Sequence, residues 1–177
     1  MDVIANLDTH IRAALGTLAA ELSSGTWKGR REREVVSLFC FGHLIQQCRQ
    51  GSALHDPAQI AIEVPIPQIS EQSELSGRSR SKQQVCKDIV IWPQPRMVCW
   101  DGAGKPAVCP SAVIEWKHNQ AEISRFDLDW LCAISSQVDS FVGYAVSSNH
   151  PKGPFVLSCT RIYRGTLEDK WLHISRG

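Results

Sequence analysis

SAVIEWK, residues 111–117, reads as a β-strand that ends in charge. Side chains alternate along a strand, so Val113, Glu115 and Lys117 share one face while Ile114 and Trp116 share the other. Glu115 and Lys117 then lie about 7 Å apart on one side, at a strand end where a site is both rigid and open. Glu-x-Lys alone arises by chance in roughly half of chains this long, so its position carries the information. The preceding stretch, VCKDIVIW (85–92), is a second strand, rich in β-branched residues and closed by Pro93 and Pro95. Asp88 in its middle is unfavourable on strand propensity, and a buried carboxylate is costly unless paired or bound to metal. With these strands as neighbours, Asp88 and Glu115 face each other across the ladder and repel. A hard cation relieves that repulsion, and Mg²⁺ suits because it keeps several waters and uses one or two carboxylates.

Working outward, Ile4, Leu7, Ile11, Leu15, Leu18 and Leu22 recur at helical spacing and predict an N-terminal amphipathic helix ended by Ser23-Ser24-Gly25. Residues 30–49 read as a second helix with a charged first turn, Arg30, Arg31, Glu32, Arg33 and Glu34. QIAIEVPIPQ (59–68) is a strand whose prolines put its far end at a sheet edge. ISEQSELSGRSRSK (69–82) is a polar loop, acidic first and then basic. A helix is expected over 122–137, and strands over 141–148 and 155–163. The predicted order is α, α, β, β, β, α, β, β in a single domain spanning 1–177.

The chain has 177 residues, 43% hydrophobic and 21% charged, with a net charge of +1. That composition suits one globular domain with a good core and excludes a collagen, a coiled coil or a strongly basic DNA-packaging protein. The N-terminus lacks the order of a signal peptide, and no 18-residue apolar run predicts a membrane span. The cytoplasm is the expected compartment. Seven cysteines at wide spacings, without a CxxC pair, read as reduced thiols rather than a zinc cluster. Asp127 and Asp129 read as solvated or capping groups, and the tryptophans as core.

Asp88 on one strand, Glu115-x-Lys117 on the next, an acidic residue on an upstream helix and a helix following together resemble the PD-(D/E)XK nuclease superfamily. The stretch from Arg30 to Ser148 matches its α-β-β-β-α-β order, about two-thirds of the chain. Lys87 stands where the motif's name has proline. The resemblance implies a restriction-endonuclease-like α/β core: a central mixed sheet flanked by helices, here with an extra N-terminal helix. It implies Mg²⁺- or Mn²⁺-dependent phosphodiester hydrolysis, most readily of DNA, with Asp88 and Glu115 as metal ligands and Lys117 activating or orienting a water. The alternative is a catalytically silent module that binds nucleic acid or a protein. The family often has a glutamate early in the core helix: Glu34 is the first choice and Glu32 the rival. Glu34 aligns with Leu38, Phe41 and Ile45, Glu32 with Val36, Phe39 and His43. Arg30, Arg31, Arg33, Arg78, Arg80, Lys82 and Lys87 are candidates for holding the phosphate backbone, and His118 and Asn119 for touching substrate. A homodimer is left open, and no membrane partner is expected.

Overall fold

The structure, a computed structural model, describes residues 2–25, 31–68, 84–120, 123–149 and 155–176. Helix α1 (Val3–Ser23) starts where the Asp2 carboxylate accepts hydrogen bonds from the amides of Ile4 and Ala5. Its six predicted apolar positions are all buried, each stabilising the fold by roughly 1.5–3 kcal/mol. The second helix begins as α2 (Glu32–Leu38) and then widens into a π-helical stretch, Phe39–Leu44, and a short 3-10 turn, Ile45–Gln47. Helix α3 (Arg125–Gln137) is capped by Ser124, whose hydroxyl accepts from the Asp127 amide.

Six strands form one mixed sheet in sequential order: β1 (Ile60–Pro67), β2 (Gln84–Ile91), β3 (Ala112–His118), β4 (Val142–Asn149), β5 (Phe155–Tyr163) and β6 (Thr166–Arg176). β3 and β4 are parallel, and every other neighbouring pair is antiparallel. A parallel pair needs a crossover, and α3 supplies it. The expected elements are present, so the α/β class and mixed sheet hold. β6 was not anticipated.

Helices cover both faces. Ile89, Ile91, Ile114, Trp116, Tyr144 and Val146 pack with α1 and α2. Val90, Trp92, Val113 and Ala145 pack with Trp130 and Leu131 of α3. β3 and β4, buried on both sides, are near-continuous apolar runs as such strands must be. Among the described residues, no helix is long and apolar enough to cross a membrane.

α3 lies so close to β4 that only glycine fits beneath it. A Cβ added at Gly143 would sit 2.9 Å from Leu131 Cδ2 and 3.1 Å from Leu131 Cβ. Leu131 is fully buried, so any shift of it disturbs a packed core. Gly143→Ala is therefore expected to destabilise the protein by about 1–3 kcal/mol, measured by urea unfolding. Wild-type stability in that variant would show that the contact between α3 and β4 is looser than described.

Candidate active site

The sheet opens where its charges lie. β2 pairs with β3 only through Ile89–Ile114, Val90–Val113 and Ile91–Ala112. The next pair in that register is Asp88 and Glu115, and there the strands part. Instead of a ladder bond, Asp88 Oδ2 accepts a hydrogen bond of 2.7 Å from the Trp116 amide. The Asp88 and Glu115 carboxyls are close enough across the gap that the charge of Asp88 bears on Glu115.

A second irregularity lies one strand away. β1 and β2 stay in register from Ile60–Ile91 to Pro67–Gln84, but Glu63 and Asp88 do not pair. Glu63 has a left-handed backbone, φ 53°, a strain of about 1 kcal/mol or more. The alternation of both strands flips at this point. Ile62 and Ile89 face α1 and α2, whereas Val64 and Val85, of the same strand parity, face α3. On an unbroken strand Lys87 would share the face of Ile89; here its ammonium lies over the Trp130 ring of α3, 4.3 Å from the centroid. Asp88, by contrast, lines a cavity of about 350 Å³ with Arg31, Glu32, Arg33, Val36, Ile62 and Glu63.

Of the two helix glutamates, Glu32 reaches the site. Its Oε1 lies 3.1 Å from Lys117 Nζ, and its Oε2 accepts from the His118 amide at 3.1 Å. Glu34 accepts a hydrogen bond from the Arg31 amide at its own helix start. The difference is one of helix face. Val36 and Phe39, on the side of Glu32, are buried, while Phe41, aligned with Glu34, is 60% exposed. Phe39 packs on Trp116, ring centroids 5.2 Å apart, and so holds α2 over β3.

Lys117 lies at the open strand end, its ammonium also donating to the Trp116 carbonyl at 2.8 Å. Burial pulls its pKa down, but the Glu32 hydrogen bond and the charges of Asp88 and Glu32 outweigh it and raise it above the usual lysine value. It is a cation at neutral pH. Glu115 is almost fully buried and ion-paired with Lys87, although the approach leaves Oε1 without an aligned hydrogen bond. Burial pushes its pKa up to about 8; Lys87 opposes the rise, while Asp127 and Asp88 add to it. Burial also raises Asp88, against the pull of the Trp116 amide and Lys117.

No protein-family model, curated protein or solved structure matches this chain.

Arg31 and Arg33 are exposed at the cavity mouth, and Arg33 Nε is ion-paired with Glu63 at 2.5 Å. Arg30, Arg78, Arg80 and Lys82 lie outside the described residues. Lys87 differs from its expected role: it is 1% exposed, so it has no surface to offer a phosphate backbone. His118 is also buried, its Nδ1 2.9 Å from the Ser148 hydroxyl, which in turn accepts from Trp116 Nε1. Only the exposed Asn119 next to it faces solvent, with φ 60° and its amide donating to the Ser148 carbonyl. Asp127, read as a cap, does bond Ser124, and it also stands 3.6 Å from Lys87.

A further cavity, about 610 Å³, lies elsewhere, lined by Asn6, His55, Gln94 and their neighbours, with no Asp, Glu, Lys or Arg among the described residues. Its lining among the described residues offers no carboxylate to hold a hard cation. Among the described residues no group of three or more His, Cys, Asp and Glu side chains is arranged to hold a metal ion. The pair of carboxylates at the gap, Asp88 and Glu115, fits Mg²⁺ or Mn²⁺ by its chemistry, since both supply hard oxygen donors. Water or substrate oxygens would complete such a shell.

Proposed function

We propose that this protein is a divalent-metal-dependent nuclease of the PD-(D/E)XK type, acting on phosphodiester bonds in DNA. The observation that carries the reading is the parting of β2 from β3 at Asp88 and Glu115, with Lys117 and Glu32 at the same opening. The order of elements around it, two helices, three strands, a helix and a strand, agrees with a restriction-endonuclease-like core.

Asp88 and Glu115 would hold the cation. When bound, it lowers the pKa of a coordinated water and offsets charge on the scissile phosphate. The chain's own contribution is positional. Trp116's amide fixes the Asp88 carboxylate, and Glu32 fixes the Lys117 ammonium. Because Lys117 stays protonated, it suits the role of a charged donor to the phosphate or leaving oxygen better than that of a base. Arg31 and Arg33 flank the opening and would contact the phosphate backbone without reading sequence.

One observation favours a second reading, a silent module that binds nucleic acid or a protein. Glu115 already has a cation beside it in Lys87. Calorimetric titration with Mn²⁺, wild type beside Asp88→Ala/Glu115→Ala, separates the two. Binding by the wild type that the double variant loses, followed by cutting of plasmid or oligonucleotide DNA, is the expected result. A folded wild type that binds neither Mn²⁺ alone nor Mn²⁺ with DNA would overturn the nuclease reading.

A further inference from the structure

Lys87 is one of the largest fully buried side chains of the protein. Lysine is almost never buried this completely unless it is paired. Its ammonium touches Glu115 Oε1, lies 3.6 Å from Asp127 Oδ1 and rests on the Trp130 ring, itself 1% exposed. Three elements, β2, β3 and α3, therefore meet at one nitrogen.

Stability alone does not account for this arrangement. Buried ion pairs are commonly no better than well-packed apolar residues of the same volume. The backbone is also distorted to reach it. Only because the alternation of β1 and β2 flips at Glu63 and Asp88 does Lys87 lie under Glu115 while Asp88 lines the cavity on the side of α2. One distortion thus delivers a carboxylate to the site and a cation to the back of the other carboxylate.

We propose that Lys87 is a positioning residue of the cation site: held by Asp127 and Trp130, its ammonium fixes the Glu115 carboxylate so that it faces Asp88. The inference rests on the nuclease reading, since it assigns the Asp88–Glu115 pair to a divalent cation. Groups behind a metal ligand that orient it are typically worth 10- to 100-fold in affinity. Without Lys87, the charges that bear on the buried Glu115 among the described residues are those of the like-charged Asp88 and Asp127.

The test is Mn²⁺ affinity by calorimetry, without reference to cleavage, for wild type, Lys87→Met and Lys87→Arg, with folding checked by circular dichroism. Lys87→Met is expected to bind Mn²⁺ roughly tenfold more weakly or worse, and Lys87→Arg to retain most of the affinity. Should Lys87→Met fail to fold, Lys87→Gln, which can donate to Glu115 without charge, serves in its place with the same expectation. Wild-type affinity in Lys87→Met or Lys87→Gln would overturn the proposal. So would a loss in Lys87→Arg as large as that in Lys87→Met, because charge would then not be what orients Glu115. A wild type that binds no Mn²⁺ fails at the earlier step and overturns the nuclease reading itself.

Discussion

Between pH 5 and pH 9 the protein is expected to lose stability on the order of 4 kcal/mol through Glu115 alone. Folding raises this carboxyl from 4.5 to about 8, chiefly because burial disfavours its charged form. Each pKa unit is worth about 1.4 kcal/mol. The sign follows from proton counting. Below pH 4.5 both states hold the proton and the group contributes no difference. Above it the unfolded chain releases the proton while the folded protein retains it, so each further pH unit favours unfolding until about pH 8. Asp88, also raised by burial, acts in the same direction. Glu115→Gln keeps the shape and removes the titration, so its stability should be nearly flat over this range and exceed that of wild type at pH 9. Urea unfolding at pH 5, 7 and 9 measures both. A wild type as stable at pH 9 as at pH 5 would mean that the Lys87 ammonium keeps Glu115 charged in spite of its burial. A Glu115→Gln variant with an undiminished fall would assign the dependence to another group.

Such a carboxylate, expensive to bury, was partly legible in the sequence. Asp88 stands out because an aspartate amid β-branched residues contradicts its surroundings, and contradictions of this kind mark functional sites. Glu115 and Lys117 are legible from the apolar run before them. Both signals survive because β2 and β3 are central strands whose burial dictates composition. The choice between Glu32 and Glu34 was not legible: Leu38, Phe41 and Ile45 are as apolar as Val36 and Phe39, and only the fold turns the side of Glu32 inward and leaves Phe41 exposed. β6 was missed for another reason. It is an edge strand whose first five residues are exposed, with Glu168, Asp169 and Lys170 in succession, so no alternation declares it. The place of Lys87 was not legible at all. Strand parity assigns it to the face of Ile89, and the flip that moves it depends on a left-handed Glu63, a residue type with no preference for that conformation. Asp127 was hidden similarly, its role as a cap concealing its approach to Lys87 across two elements.

Lys117→Ala is expected to lower DNA cleavage by at least about a hundredfold while leaving the fold and Mn²⁺ affinity nearly unchanged. Lys117 is partly exposed at the end of β3, so truncation opens no cavity in either core. Neither carboxylate of the pair is hydrogen-bonded to it; its partners are Glu32 and the Trp116 carbonyl. Removing it therefore leaves Asp88 and Glu115 in place for a cation. What disappears is a fixed positive charge beside the site, held in position before substrate arrives. Such preorganised groups act mainly on charge that develops during reaction, and losing one typically costs 10²–10³ in rate. Glu32→Gln is the companion variant. It keeps a hydrogen-bond acceptor for the ammonium but removes the charge that anchors it, so a loss of roughly tenfold is expected, smaller than that of Lys117→Ala. Nicking of supercoiled plasmid in Mn²⁺, alongside calorimetry, gives both quantities. Cleavage at the wild-type rate by Lys117→Ala would remove Lys117 from the site. A parallel loss of Mn²⁺ affinity would instead recast it as part of the scaffold that shapes the carboxylate pair.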